Sequence, residues 1–138
     1  FGLGSFLIGH VAYIRAYTSD TRRLAPAGLL FALLCGAGML AMLNSSPEGL
    51  GPLLLPVAGY ALIISCMLWR AIARIGVEGI PHNSALLAAG GALLFVISDS
   101  LIGINRFVQP FDEAKYAIII TYWLGQFGIA ASAMRRNT

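Results

Sequence analysis

The chain has 138 residues, 58% of them hydrophobic and only 11% charged, with a formal net charge of +3. Soluble domains carry about 25% charged residues, so this composition, with a mean hydropathy of +0.79, excludes that class and identifies an integral membrane protein. The basic excess is small and, as shown below, reports topology, so a nucleic-acid partner has no support.

Five apolar runs follow one another: residues 1–17, 27–43, 52–69, 85–104 and 116–134. Each is close to the roughly 17–25 residues that a spanning helix needs. They are continuous, whereas the strands of a membrane barrel alternate apolar and polar residues over about ten positions. The connectors are too short for a soluble domain. The fold class expected is therefore all-α, a polytopic transmembrane bundle of five spans forming a single domain over residues 1–138. The first run has no basic segment before it and no initiator Met, so it is not a signal peptide; the chain reads as truncated at its N-terminus. Cys35 in the second run and Cys66 in the third have no CxxC partner and no neighbouring His. Packing is the expected role of both, with neither a disulfide nor a metal implied.

Orientation follows from the arginines. Taking connectors alternately, one side receives Arg15, Arg22, Arg23, Arg70, Arg74, Arg135 and Arg136, seven of the nine basic residues, and the other only Arg106 and Lys115. The positive-inside rule makes the first side cytoplasmic. Arg70, Arg74 and the Arg135–Arg136 pair read as ordinary stop-transfer charge, with contact to anionic lipid as the alternative.

The fourth run contains the residue that calls for a function. Asp99 is a carboxylate in a stretch otherwise made of apolar, glycine and serine residues. Inserting such a group costs about 2.5–3.5 kcal/mol, and an intramembrane ionisable residue is a functional-site candidate by default. At a rise of about 1.5 Å per residue it lies about 7 Å from the midplane, toward the outer face. Gly90, Gly91, Phe95, Asp99 and Gly103 read as one narrow face on which a neighbouring helix can approach. Arg106 continues that face about 10.5 Å further along the axis. That is too far for an ion pair with Asp99, but suited to hold an anionic head group above it; an interfacial, snorkelling arginine is the alternative.

The first and last runs echo one another. Ser5-Phe6-Leu7-Ile8-Gly9-His10 matches Thr121-Tyr122-Trp123-Leu124-Gly125-Gln126 in residue type at a constant offset of 116. Both runs cross in the same direction, so the relation is that of a parallel repeat about an axis along the membrane normal. The match asks for a carboxylate on a helix before Phe1, corresponding to Asp99. It also places His10, Tyr122, Gln126 and Ser5 near the depth of Asp99, as a polar layer facing inward, with Tyr122 or Gln126 opposite Asp99. Blander roles exist for each: His10 and Gln126 as interhelical glue, Tyr122 and Tyr60 as packing groups with hydroxyls on backbone carbonyls, and Ser5, Ser98 and Thr121 bonded to their own preceding turns.

Three segments together resemble a known family. Phe6-Leu7-Ile8-Gly9-His10-x-x-Tyr13, the stretch from Gly91 through Phe95 and Ser98-Asp99-Ser100 to Phe107, and Thr121-Tyr122-Trp123-Leu124-Gly125-Gln126 are similar, in order and spacing, to the YhhN-like membrane proteins, whose animal members are lysoplasmalogenases. The resemblance covers nearly the whole chain. It implies an eight-helix bundle in which an earlier helix carries a Gly-Asp motif. This chain departs from that pattern by lacking the first three helices, and such a fragment is expected to be inactive.

The resemblance further implies hydrolysis of a lysoplasmalogen vinyl ether to a fatty aldehyde and a glycerophospho-base. Two carboxylates suit that chemistry, since one protonates the vinyl carbon and the other stabilises the resulting cation and directs water. Asp99 would fill one role, with His10, Tyr122 and Gln126 orienting the water or the acid and Arg106 binding the head group. No cofactor or metal is called for, and the implied partner is a membrane lipid. A bacterial inner membrane with a cytoplasmic C-terminus is the expected location. Two other classes stay open: a small-solute or ion transporter with Asp99 at its repeat interface, and a non-catalytic membrane subunit pairing Asp99 with a partner's cation. The seven-to-two division of basic residues predicts that cysteines introduced in residues 47–51 react with impermeant reagents from outside, and those in residues 70–84 only from inside; the reverse pattern would refute the orientation.

Overall fold

A computed structural model describes residues 2–134 and shows five α-helices: α1 (Gly2–Asp20), α2 (Pro26–Asn44), α3 (Leu54–Ala73), α4 (His82–Gly103) and α5 (Ala114–Met134). A 3-10 turn, Gly51–Leu53, leads into α3, and a π-helical turn, Ile104–Val108, extends α4. No strand occurs among the described residues, so the all-helical class is as the apolar runs implied. The Arg135–Arg136 pair and Phe1 lie outside the described residues.

The count of spans needs a correction. Four helical segments, Pro26–Asn44, Gly51–Ala73, His82–Val108 and Ala114–Met134, are long and apolar enough to cross a membrane. The helix α1 falls short because its 19 residues include His10, Arg15, Thr18, Ser19 and Asp20. It is nonetheless part of the bundle, with His10 and Tyr17 buried against its neighbours.

Small residues decide how the helices meet. The buried stripe of α2 is Gly28, Ala32, Gly36, Met39 and Leu43, a spacing of three and four that keeps one face toward α3. Gly28 there lies against Ile72, and Gly36 against Ser65. The closest approach joins α4 to α5. A Cβ added at Gly91 would sit 2.8 Å from the Gly125 carbonyl oxygen, and one at Gly128 would sit 3.0 Å from that of Leu87. Backbone contact of this kind replaces the hydrophobic drive that lipid does not supply. The expected face of α4 is corrected in one place: Gly90 is exposed, with nothing within 4 Å of a Cβ built on it. The inward residues are Ala88, Gly91, Ala92, Phe95, Asp99 and Gly103. Large side chains on the outside, among them Ile8, Leu34, Leu55, Trp123 and Phe127, are each more than 60% exposed, as lipid-facing residues are.

One end of the bundle is tied by polar groups. The Arg74 Nε lies 2.9 Å from the Asp20 carboxylate, with both side chains almost wholly buried, and the guanidinium stacks on Tyr17. Arg74 also donates to Ser84 Oγ at 3.3 Å, and Ser84 in turn donates to the Ser132 carbonyl at 2.7 Å. Arg70 donates to the backbone carbonyls of Thr21 and Arg23, Trp69 to that of Leu24 at 2.5 Å, and Arg23 to that of Ile75 at 3.1 Å. These contacts bring the C-terminal ends of α1, α3 and α5 to the start of α2 and α4, so the helices alternate in direction. They also correct the reading of Arg70 and Arg74. Both are buried because they close the α1–α2 connector onto α3, and neither is a free stop-transfer or lipid-binding charge.

The contrast between adjacent glycines is testable. Gly91→Ala should cost about 1–3 kcal/mol, because the added methyl forces two backbones apart, and should lower the thermal midpoint. Gly90→Ala should leave stability unchanged or raise it by up to about 1 kcal/mol through helix propensity. Equal effects in a thermal-shift measurement would refute the α4–α5 contact.

Candidate functional site

Asp99 sits on the inward stripe of α4, one turn after Phe95, half-buried. Its Oδ2 accepts a hydrogen bond from the Tyr60 hydroxyl at 2.6 Å, the length expected when a hydroxyl donates to a carboxylate. Tyr60, half-buried, lies one turn before the buried stripe of α3 formed by Ile64, Met67, Leu68 and Ala71, so the antiparallel packing of α3 on α4 brings the two groups together. The sequence reading left Tyr60 as a packing group with its hydroxyl on a backbone carbonyl; the structure gives that hydroxyl to the one intramembrane carboxylate.

The pair lines a cavity of about 280 Å³. Its other walls are apolar, with Met39, Leu43, Val57, Ile102 and Phe107 prominent. Leu43, Gly103 and Phe107 belong to the end of the bundle opposite the arginine ties, so the cavity runs from Asp99 toward that end. This shape gives one carboxyl group to a ligand that is otherwise greasy.

A second cavity, of about 310 Å³, holds the remaining polar candidates: Ser5, His10, Tyr122 and Gln126, with Gly9 and Tyr13. The expectation that Tyr122 or Gln126 faces Asp99 is therefore corrected, since Tyr60, Met39 and Val57 form that wall. Aromatic rings account for the separation. The Phe95 ring lies 5.5 Å from Tyr122, 5.3 Å from His10 and 6.5 Å from Phe6, and Phe6 lines both cavities.

Within the second cavity His10 is almost fully buried, at 1% exposure. Its Nδ1 is 2.7 Å from the Phe6 carbonyl oxygen. A carbonyl has no proton to give, so Nδ1 carries the hydrogen and donates it. The neutral ring then presents Nε2 as an acceptor, and Nε2 is buried with no hydrogen-bond partner among the described residues. Leaving a buried acceptor unsatisfied costs about 1–3 kcal/mol. The His10 ring also packs 5.7 Å from the Tyr60 ring, which places it between the two cavities. Gln126 donates through Nε2 to the Tyr122 hydroxyl at 3.3 Å. Phe6 and Tyr122, equivalent in the internal echo, meet edge to face at 5.9 Å.

Arg106 stands outside both cavities. The helix gives way to the π-helical turn before it, so it does not continue the Asp99 face as a straight helix would place it. It is exposed, and its guanidinium lies 5.6 Å from the ring of Phe107, which itself lines the Asp99 cavity. Arg106 therefore stands beside the far end of that cavity rather than in its wall. Thr121 and Ser100 return their hydroxyls to Ala117 and Val96 in the preceding turn, while Ser98 reaches across to the Ile118 carbonyl at 3.4 Å.

Comparison with known proteins gives the chain its relatives. Human lysoplasmalogenase TMEM86B is 34% identical over 134 residues, covering 97% of this chain and 53% of that protein. Human lysoplasmalogenase TMEM86A is 35% identical over 134 residues, 96% of this chain and 54% of that protein. A lysoplasmalogenase of Mycobacterium bovis is 33% identical over 136 residues, 95% of this chain and 49% of that protein. The chain thus spans about half the length of the curated relatives it matches. No solved structure matches it. The YhhN family model aligns with residues 1–133, taking in α1 with His10, α4 with Asp99 and α5 with Tyr122 and Gln126, and the chain belongs to the YhhN family.

Proposed function

We propose that this chain forms the part of a membrane-embedded hydrolase that cleaves the vinyl ether bond of lysoplasmalogen-type lipids, with Asp99 as the proton donor. The observation that carries the reading is the carboxyl of Asp99, held by Tyr60 at 2.6 Å in a cavity whose walls are otherwise apolar. The names of the related lysoplasmalogenases support it independently.

A vinyl ether hydrolyses through protonation of the carbon β to oxygen, which creates an oxocarbenium ion; water then adds, and the hemiacetal collapses to aldehyde and alcohol. An apolar cavity suits the alkenyl chain, and the Asp99 carboxyl is the group within it able to deliver a proton to carbon. After transfer, its carboxylate faces the cation and stabilises it in a water-poor surrounding. The Tyr60 hydrogen bond orients the carboxyl through Oδ2, directing the other oxygen to the substrate. In the whole protein, the second carboxylate implied by the family resemblance would share the stabilisation of the cation. Arg106, beside the outer end of the cavity, is assigned to the anionic head group, with Phe107 supporting its guanidinium. The same reading places the arginine-tied end, and the C-terminus, on the cytoplasmic side of a bacterial inner membrane.

In the full-length protein, Asp99→Asn keeps size and hydrogen bonding but removes the acid. It should lower aldehyde release from a lysoplasmalogen by at least about 10²-fold, the usual contribution of a general acid, with no change in thermal midpoint. Tyr60→Phe, which only frees the carboxyl to turn, should cost about tenfold. Near-normal aldehyde release by Asp99→Asn would refute the proposal.

A further inference from the structure

We infer that His10 holds the hydrolytic water in the second cavity and carries its proton through the later half of the reaction. This rests on the vinyl ether reading of Asp99 and assigns the steps that reading leaves open. The starting point is the buried Nε2 that has no partner on a ring whose Nδ1 is committed to the Phe6 carbonyl. An acceptor fixed in this way calls for an O–H or N–H donor from a ligand. The other cavity groups complete a water site. Because Gln126 donates to the Tyr122 oxygen, the hydroxyl proton of Tyr122 points elsewhere, and the Gln126 carbonyl oxygen is an acceptor. A water in the cavity that these three residues line can donate to His10 Nε2 and to Gln126 and accept from Tyr122, the two to four bonds that an internal water requires.

The partition sorts the two reactants. Phe6 and Phe95 keep the polar cavity apart from the apolar one, yet His10 packs on Tyr60, the residue that holds Asp99. The reacting carbon is placed beside Phe6, the ring that lines both cavities, with the acid on its own side and the water reaching it from the second cavity when that ring turns aside.

The proton count closes with these two residues. Asp99 gives its proton to the vinyl β-carbon, leaving a carboxylate and an oxocarbenium ion. The water oxygen bonds to the cationic carbon, and its proton passes to His10 Nε2, giving an imidazolium and a neutral hemiacetal. The carbon–oxygen bond to the glycerol then breaks: the departing oxygen takes the proton from His10, and the hemiacetal hydroxyl returns its proton to Asp99. Aldehyde and alcohol leave, and both residues regain their starting states.

Turnover of a lysoplasmalogen by the full-length protein in D₂O separates the two roles. In the unaltered protein water captures the cation before it reverts, so recovered substrate should contain no vinylic deuterium. In His10→Gln the first proton transfer survives while capture fails. Aldehyde release should fall by about 10²-fold or more, as expected for loss of a general base, and recovered lysoplasmalogen should carry deuterium on its β-carbon. Release within threefold of the unaltered protein would overturn the inference. So would a large loss without deuterium exchange in a protein of unchanged thermal midpoint, since His10 would then act at or before the first transfer. If His10→Gln does not fold, Tyr122→Phe decides by the same two readouts, with reduced release plus exchange expected and normal release contradictory. If Asp99→Asn remains active the reading of Asp99 as the proton donor fails, whereas an inactive Asp99→Asn beside a fully active His10→Gln overturns only the role of His10.

Discussion

The hydrogen bond from Tyr60 to Asp99 is the contact on which the account of this molecule turns. A carboxyl group within an apolar helix has no partner in lipid, so its position is set by whichever neighbouring helix offers a donor. The helix α3 does so at 2.6 Å, and the bond sets the direction in which the carboxyl points. The apolar cavity is built around that contact, with Val57 and Tyr60 from α3, Asp99, Ile102 and Gly103 from α4, and Met39 and Leu43 from α2.

Two further devices hold this geometry. Glycine contacts between α4 and α5 keep the backbones close enough for Phe95, Tyr122 and Phe6 to form an aromatic partition. At the other end the buried Asp20–Arg74 pair, with Arg70 and Trp69 on the α1–α2 connector, anchors α1. Breaking a buried pair by removing one member costs about 3–5 kcal/mol, so this end resists opening. The helix least able to cross a membrane on its own composition is thus held in place by polar ties, and it is the one that presents His10 and Phe6 to the site.

The fold was legible in sequence where one strong physical signal decided it. Continuous apolar runs of spanning length mark α2 to α5, and Asp99 stands out because charge in such a run is costly. What stayed hidden depends on rotation or tertiary reach. Gly90 and Gly91 are neighbours, but one residue turns a helix by about 100°, and the residue order does not say which of them faces α5. Tyr60 looks the same in sequence whether its hydroxyl meets a backbone carbonyl or a carboxylate 39 positions away. Arg70 and Arg74 read as topology signals because basic residues at helix ends usually are, and only the closed connector shows both buried, Arg74 on Asp20 and Arg70 on backbone carbonyls. Arg106 was misplaced by the π-helical turn, which changes the rotation per residue. Tyr122 and Gln126 line one cavity with His10, as their grouping in the sequence had it, but not the wall opposite Asp99, because the partition depends on three aromatic side chains from three helices.

The central claim is that the reaction begins with proton delivery to carbon in the Asp99 cavity, and its most direct test is the isotopic composition of the product. The full-length protein should turn over a lysoplasmalogen in D₂O to release an aldehyde bearing one deuterium, in a single configuration, on the carbon next to the carbonyl, determined after immediate reduction to the alcohol. A racemic label at that carbon would mean that an enol leaves the protein and takes up its deuterium in solution, without proton delivery to the vinyl carbon in the Asp99 cavity, and would contradict the account.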